Sequence, residues 1–95
     1  RIKFEDVLFV EGLKDYLQIY TAKDKYLVLQ TMKQAAAQLP KTFLRTHRSY
    51  IVNAEKVDGL EGNQLMVGSH KIPISRQYKD AVLQQIIGDN LWSRG

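Results

Sequence analysis

The sequence predicts a mainly β domain, with short antiparallel strands in stacked sheets, one short helix and one C-terminal helix. Two observations lead there. Short runs rich in Val, Ile, Leu, Tyr and Thr recur along the chain, each closed by a polar or Gly-containing turn. Only two segments show helical spacing, and each has its own start and stop signals.

In order, Ile2 and Phe4 alternate with Arg1 and Lys3, an edge-strand pattern, before Glu5-Asp6 turns the chain. Val7 to Val10 is a continuous apolar run closed by Glu11-Gly12. Leu13-Lys14-Asp15 leads into a strand from Tyr16 to Thr21, and Ala22 to Lys25 is a polar turn. Tyr26 to Thr31 returns as the second arm of a hairpin. Met32 to Leu39 is the first helix: Thr31 can cap it, alanines favour it and Pro40 ends it. Its Met32, Ala35, Ala36 and Leu39 share one small apolar face, the pattern of core packing.

Further on, Val57 to Leu60, Leu65 to Val67 and Lys71 to Ile74 read as a meander of three short strands. Glu61-Gly62-Asn63 and Gly68-Ser69-His70 supply its turns. Ser75 is placed to cap a last helix from Arg76 to about Ile87, with Gly88 as its stop. Tyr78, Val82, Leu83, Ile86 and Ile87 form its apolar stripe. Asn90 to Gly95 is expected to be a loose tail, with Trp92 free to dock on the core or on a partner.

The chain of 95 residues is long enough for one domain with a modest core. A hydrophobic fraction of 44% and a charged fraction of 25% are ordinary for a globular protein. No apolar run approaches the roughly 18 residues of a membrane span, and no signal peptide is visible. Cysteine is absent, which excludes a disulfide framework and a thiolate metal site and fits a cytoplasmic protein. The first residue is Arg, so the expectation is a fragment of a longer protein.

The net charge of +4 is unevenly spread. Lys41, Arg45, Arg48 and Lys56 stand against Glu55 alone, and Lys71, Arg76 and Lys79 face no acid, so each group carries +3. The remainder is slightly acidic. Such a distribution fits a phosphate-backbone binder, although simple solvation also produces it.

The most informative stretch is Phe43-Leu44-Arg45-Thr46-His47-Arg48-Ser49-Tyr50-Ile51-Val52-Asn53. Both ends are strand-like, while two guanidiniums, an imidazole and two hydroxyls crowd its middle, more donors than a core tolerates. His47 and Ser49 raise the question of catalysis, but no acid lies near in sequence and no Gly-rich nucleophile turn is present. Two histidines with 22 residues between them fit no zinc spacing. Neither an enzyme nor any cofactor is indicated.

Duplex DNA makes better use of these residue types. Arg48, on a turn between strands, can offer a rigid fork to guanine O6 and N7 or reach a phosphate, its alternative being an ion pair with Glu55. Arg76 sits at a helix start, against the macrodipole, where backbone N–H groups attract phosphate. Lys79 lies one turn on and can also meet phosphate, with Gln77 a further polar contact. Phe43, Arg45 and His47 share a strand face, and a structural role for Arg45 and His47 is at least as well supported as a DNA contact. Asn53 is suited to closing a turn with its side chain.

The same stretch resembles the signature of the LytTR family, the mainly β DNA-binding domains at the C-termini of many bacterial response regulators. Phe4-Glu5-Asp6-Val7-Leu8-Phe9-Val10-Glu11-Gly12 and Ile72-Pro73-Ile74-Ser75-Arg76-Gln77-Tyr78-Lys79 match in the family's order. The resemblance implies an elongated antiparallel sandwich whose loops enter two successive major grooves. It assigns DNA contacts to the Arg48 loop, a base contact to Arg76, and a third DNA-facing loop to Leu13-Lys14-Asp15-Tyr16. There Lys14 can neutralise a phosphate and Tyr16 can donate or stack, while Asp15 departs from the basic pattern of some relatives.

Also implied are repeated half-sites in promoters, two copies or a dimer on each site, and transcription control in the cytoplasm without membrane contact. A receiver domain before residue 1, driven in a two-component phosphorelay by a sensor histidine kinase, completes that picture. No helix-turn-helix is present, since the later strands separate the two helices. Two other classes stay open: a protein–protein interaction module using exposed strands, and a single-stranded nucleic-acid binder stacking bases on Tyr16, Tyr20 and Tyr26.

Overall fold

A computed structural model describes the backbone of residues 2–94 and the side chains as far as Gly88. Strands β1 (Val7–Leu13), β2 (Tyr16–Thr21), β3 (Lys25–Leu29), β4 (Phe43–His47) and β5 (Tyr50–Asn53) form one antiparallel sheet in the order β3-β2-β1-β5-β4. Strands β6 (Gly59–Glu61), β7 (Gln64–Val67) and β8 (His70–Pro73) form a second, three-stranded meander. Helix α1 (Met32–Gln38) joins β3 to β4, and α2 (Arg76–Arg94) follows β8. The molecule measures 41 × 27 × 24 Å, so the mainly β, elongated architecture expected from the sequence is present.

The five-stranded sheet buries both faces. Val10 and Ile51 point to one side, where Val7, Leu17 and Ala35 of α1 join them and Ile2, Met32 and Leu39 pack around. Phe9 and Val52 point to the other, meeting Leu65, Val67 and Ile72 of the second sheet, Ile74 just after it and Val82 of α2. Period-two alternation creates this division from Phe9 onward, and a register shift between Val7 and Phe9 accounts for Val7 lying with Val10 rather than with Phe9. Phe9 stacks on Tyr20 with ring centroids 4.2 Å apart, and His70 stands edge-on to both at 5.0 and 5.4 Å.

Local signals explain the connections. Thr31 accepts from the Gln34 N–H at 3.1 Å while Gln34 Oε1 accepts from the Thr31 N–H at 2.9 Å, a complete capping box. Asn53 closes the expected turn by accepting from the Glu55 N–H at 3.0 Å, and its buried amide donates to the Val7 carbonyl at 2.9 Å. Gly12 has a packing reason: a Cβ there would lie 2.7 Å from Met32 Cγ, so any larger residue would force the Met32 side chain of α1 to shift.

Four local expectations need correction. Residues 2–4 form no edge strand: Phe4 already belongs to a single 3-10 turn, Phe4–Asp6, which contains the expected Glu5-Asp6 turn, and the Asp6 N–H donates to the Lys3 carbonyl at 2.9 Å. Two alternating apolar residues were too short a pattern to demand a strand, and Ile2 reaches the core without one. The last helix passes Gly88, because one interior glycine costs only about 1 kcal/mol and a stop needs a left-handed residue. Ala36 and Ile87 face solvent, so the stripes of α1 and α2 are narrower than their apolar residues suggested. The side chain of Trp92 lies outside the described residues.

Candidate nucleic-acid interface

Two connections of equal length meet at one end of the large sheet: Lys14-Asp15 between β1 and β2, and Arg48-Ser49 between β4 and β5. They are neighbours because β1 pairs with β5, with Glu11 opposite Tyr50. The Gly12 N–H donates to the Ser49 carbonyl at 2.8 Å and joins them directly. The start of α2 reaches the same end, since the Ser75 N–H donates to the Thr46 carbonyl at 2.9 Å. Ser75 opens the helix, its carbonyl accepting from the Tyr78 N–H at 3.0 Å. Three segments distant in sequence are thus bonded into one surface.

All six residues anticipated for DNA contact are exposed: Lys14, Tyr16, Arg48, Arg76, Gln77 and Lys79. Lys14 lies in the first turn and Tyr16 directly follows it, Arg48 tips the second, and Arg76, Gln77 and Lys79 occupy the first turn of α2. Among the described residues the only ion pair is Lys71 with Glu61 at 4.0 Å, both exposed, so the alternative pairing of Arg48 with Glu55 does not form.

Arg45 and His47 serve the turn itself. The Arg45 guanidinium donates to the carbonyls of His47 at 2.9 Å and Arg48 at 2.6 Å, and lies 5.8 Å from the centroid of the Tyr78 ring on α2. His47 Nδ1 accepts from the Ser49 N–H at 3.0 Å. The pairing of β4 with β5 shifts register between Arg45 and His47, both of which are half-buried. Thr46 is wholly buried, and its hydroxyl has no hydrogen-bond partner among the described residues.

Behind the first two turns, the Glu11 carboxylate accepts from Tyr20 at 3.0 Å and Tyr50 at 3.1 Å. Burial first, and then the bond to Glu11, push both phenols above their ordinary value of 10.0. Sequence reading passed over Glu11, although an acid interrupting an apolar strand was the available signal. Tyr20 is committed to Phe9 and to this carboxylate, which removes one of the three rings that a single-strand binder was expected to use. Leu13, Tyr16, Leu27 and Leu29 are exposed on the sheet face opposite α1, with Tyr16 directly between Leu13 and Leu29 across the strands.

The sequence's basic clusters do not survive as clusters in space. Lys41 precedes β4 and Lys56 follows β5, so both lie at the far end of those strands from Arg48. At ~3.3 Å per strand residue, that separates Lys41 from Arg48 by roughly 20 Å. Lys56 lines a groove with Asp6, Lys23 and Asp24, and Lys71 is turned toward Glu61. The positive groups left at the loop end are those on the three joined segments.

No curated protein matches the chain at significant similarity. Among solved structures, the fold is similar to the LytTr DNA-binding domain of a Bacillus cereus protein described as a methyl-accepting/DNA response regulator. That match has a TM-score of 0.80 at 20% identity, covering 92% of this chain and 85% of the other. The LytTr DNA-binding domain family model matches residues 1–87, which contain all of the described strands and most of α2. The chain therefore belongs to the LytTr DNA-binding domain family, and binds DNA.

Proposed function

We propose that this domain recognises specific sequences in double-stranded DNA, as the cytoplasmic output module of a two-component response regulator that controls transcription. It acts by binding and not by catalysis. Arg48 and Arg76 read base edges, Lys14 and Lys79 neutralise phosphates, and Tyr16 and Gln77 add polar contacts. The carrying observation is that three exposed, cation-bearing segments are hydrogen-bonded together at one end of a rigid sheet. Guanidinium on a stiff base suits bidentate recognition of guanine, whereas a flexible ammonium suits phosphate. Two copies on repeated half-sites, a preceding receiver domain and an upstream sensor kinase complete the proposed setting.

Selection of bound duplexes from a random library tests this. A recurrent, repeated motif is expected, with affinity falling steeply as salt rises. On the selected duplex, Arg48→Ala and Arg76→Ala should each lose about 1–3 kcal/mol together with discrimination, while Lys79→Ala weakens all duplexes alike. No enriched motif, or variants indistinguishable from the parent, would reject the assignment.

A protein-contact role has one observation in its favour: Leu27 and Leu29 on edge strand β3 are 58% and 75% exposed. It predicts protein binding insensitive to salt, in a domain that a DNA column does not retain.

A further inference from the structure

The guanidinium of Arg45 has been given acceptors that belong to the turn it precedes. Its Nε donates to the His47 carbonyl at 2.9 Å and a terminal nitrogen donates to the Arg48 carbonyl at 2.6 Å. Two bonds from one planar group fix the direction of two successive peptide planes, and with them the bond from which the Arg48 side chain departs. The same guanidinium lies 5.8 Å from the Tyr78 ring centroid, and Tyr78 sits two residues beyond Arg76 and packs on the core below. A parallel tie runs from the Ser75 N–H to the Thr46 carbonyl, the residue after Arg45, at 2.9 Å. Half-buried and engaged on both sides, Arg45 is poorly placed for a ligand but well placed to hold one loop against another.

We infer that Arg45 is a positioning residue for DNA recognition: without touching DNA, it clamps the Arg48 turn against the start of α2 and so fixes the angle at which Arg48 meets the duplex. The inference rests on the assignment of Arg48 as a base contact. A base contact needs its fork held to within a fraction of an ångström, whereas a phosphate contact tolerates a swinging side chain. Removing the clamp therefore lowers discrimination more than it lowers general affinity. Lys at position 45 keeps the charge but cannot present two donors in a plane, so charge alone does not restore the function.

The test uses the duplex selected from the random library and one random duplex as probes. Arg45→Met and Arg45→Lys are compared with the parent, each alone and with Arg48→Ala. Melting curves confirm that each protein is folded at the assay temperature. Both single substitutions should reduce the ratio of selected to random affinity by about tenfold, with the salt dependence of binding unchanged. In the Arg48→Ala background, Arg45→Met should leave that ratio nearly unaltered, because the group it orients is gone.

Three results overturn the inference. One is an equal loss in both backgrounds. Another is a salt slope reduced by about one with uniform weakening, the mark of a direct phosphate contact. The third is a lower melting temperature with the ratio intact, the mark of a purely structural residue. Failure of the underlying assignment looks different: Arg48→Ala itself would then match the parent on the selected duplex.

Discussion

The two turns at the loop end are equally long and lie side by side, yet they are built in opposite ways. The Arg48-Ser49 turn is over-determined: Arg45 holds two of its carbonyls, His47 takes the Ser49 N–H, and Gly12 takes the Ser49 carbonyl. The Lys14-Asp15 turn has one cross-tie, from the Gln30 N–H to the Asp15 carbonyl at 3.2 Å, and holds Lys14 at φ 61°, the only positive φ outside glycine among the described residues. Stiffness and strain have been placed on different loops. The rigid turn can carry an orientation-sensitive contact, while the strained one carries a long cation whose charge matters more than its angle.

Substitutions at the tips should break this comparison most sharply if it is wrong. Arg48→Ala is expected to lose about 1–3 kcal/mol on a selected duplex and far less on a random one, while Lys14→Ala weakens both by the same factor. Titration of both duplexes at fixed salt separates them, and equal patterns for the two variants would erase the distinction. Next in size, His47→Ala leaves the Ser49 N–H without its acceptor and should cost about 1 kcal/mol of stability in denaturant unfolding, with discrimination falling alongside. Lys14→Gly should move the other way, stabilising the fold by about 1 kcal/mol through relief of the left-handed backbone while weakening DNA binding uniformly. Smallest of all, Thr46→Val keeps the shape of a buried residue and deletes a hydroxyl without a partner, so its unfolding midpoint should stay put or rise by a few tenths of a kcal/mol.

Much of this architecture was legible because its signals are local. Thr31 with Gln34 announces α1, and β-branched runs separated by short polar turns announce the hairpins. What escaped reading depends on neighbours. Gly88 looked like a stop, yet only left-handed geometry would have made it one. Ile87 belongs to an apolar stripe by spacing, but it is 42% exposed on the wall of an open groove that it shares with Leu60 of β6. Lys41 and Arg48 look adjacent in sequence, although a strand is an extended rod and puts them at opposite ends. The exposure of the six proposed contact residues could be anticipated from residue type. Arg45's occupation could not, because its acceptors are backbone carbonyls, which every residue possesses and none advertises.

The scarcity of internal ion pairs has a practical side. With one exposed pair at 4.0 Å among the described residues, this fold owes its cohesion to apolar contact and backbone bonding, which simple electrolytes barely disturb. Raising ionic strength should therefore strip nucleic acid from the protein during purification and leave an intact, refillable domain.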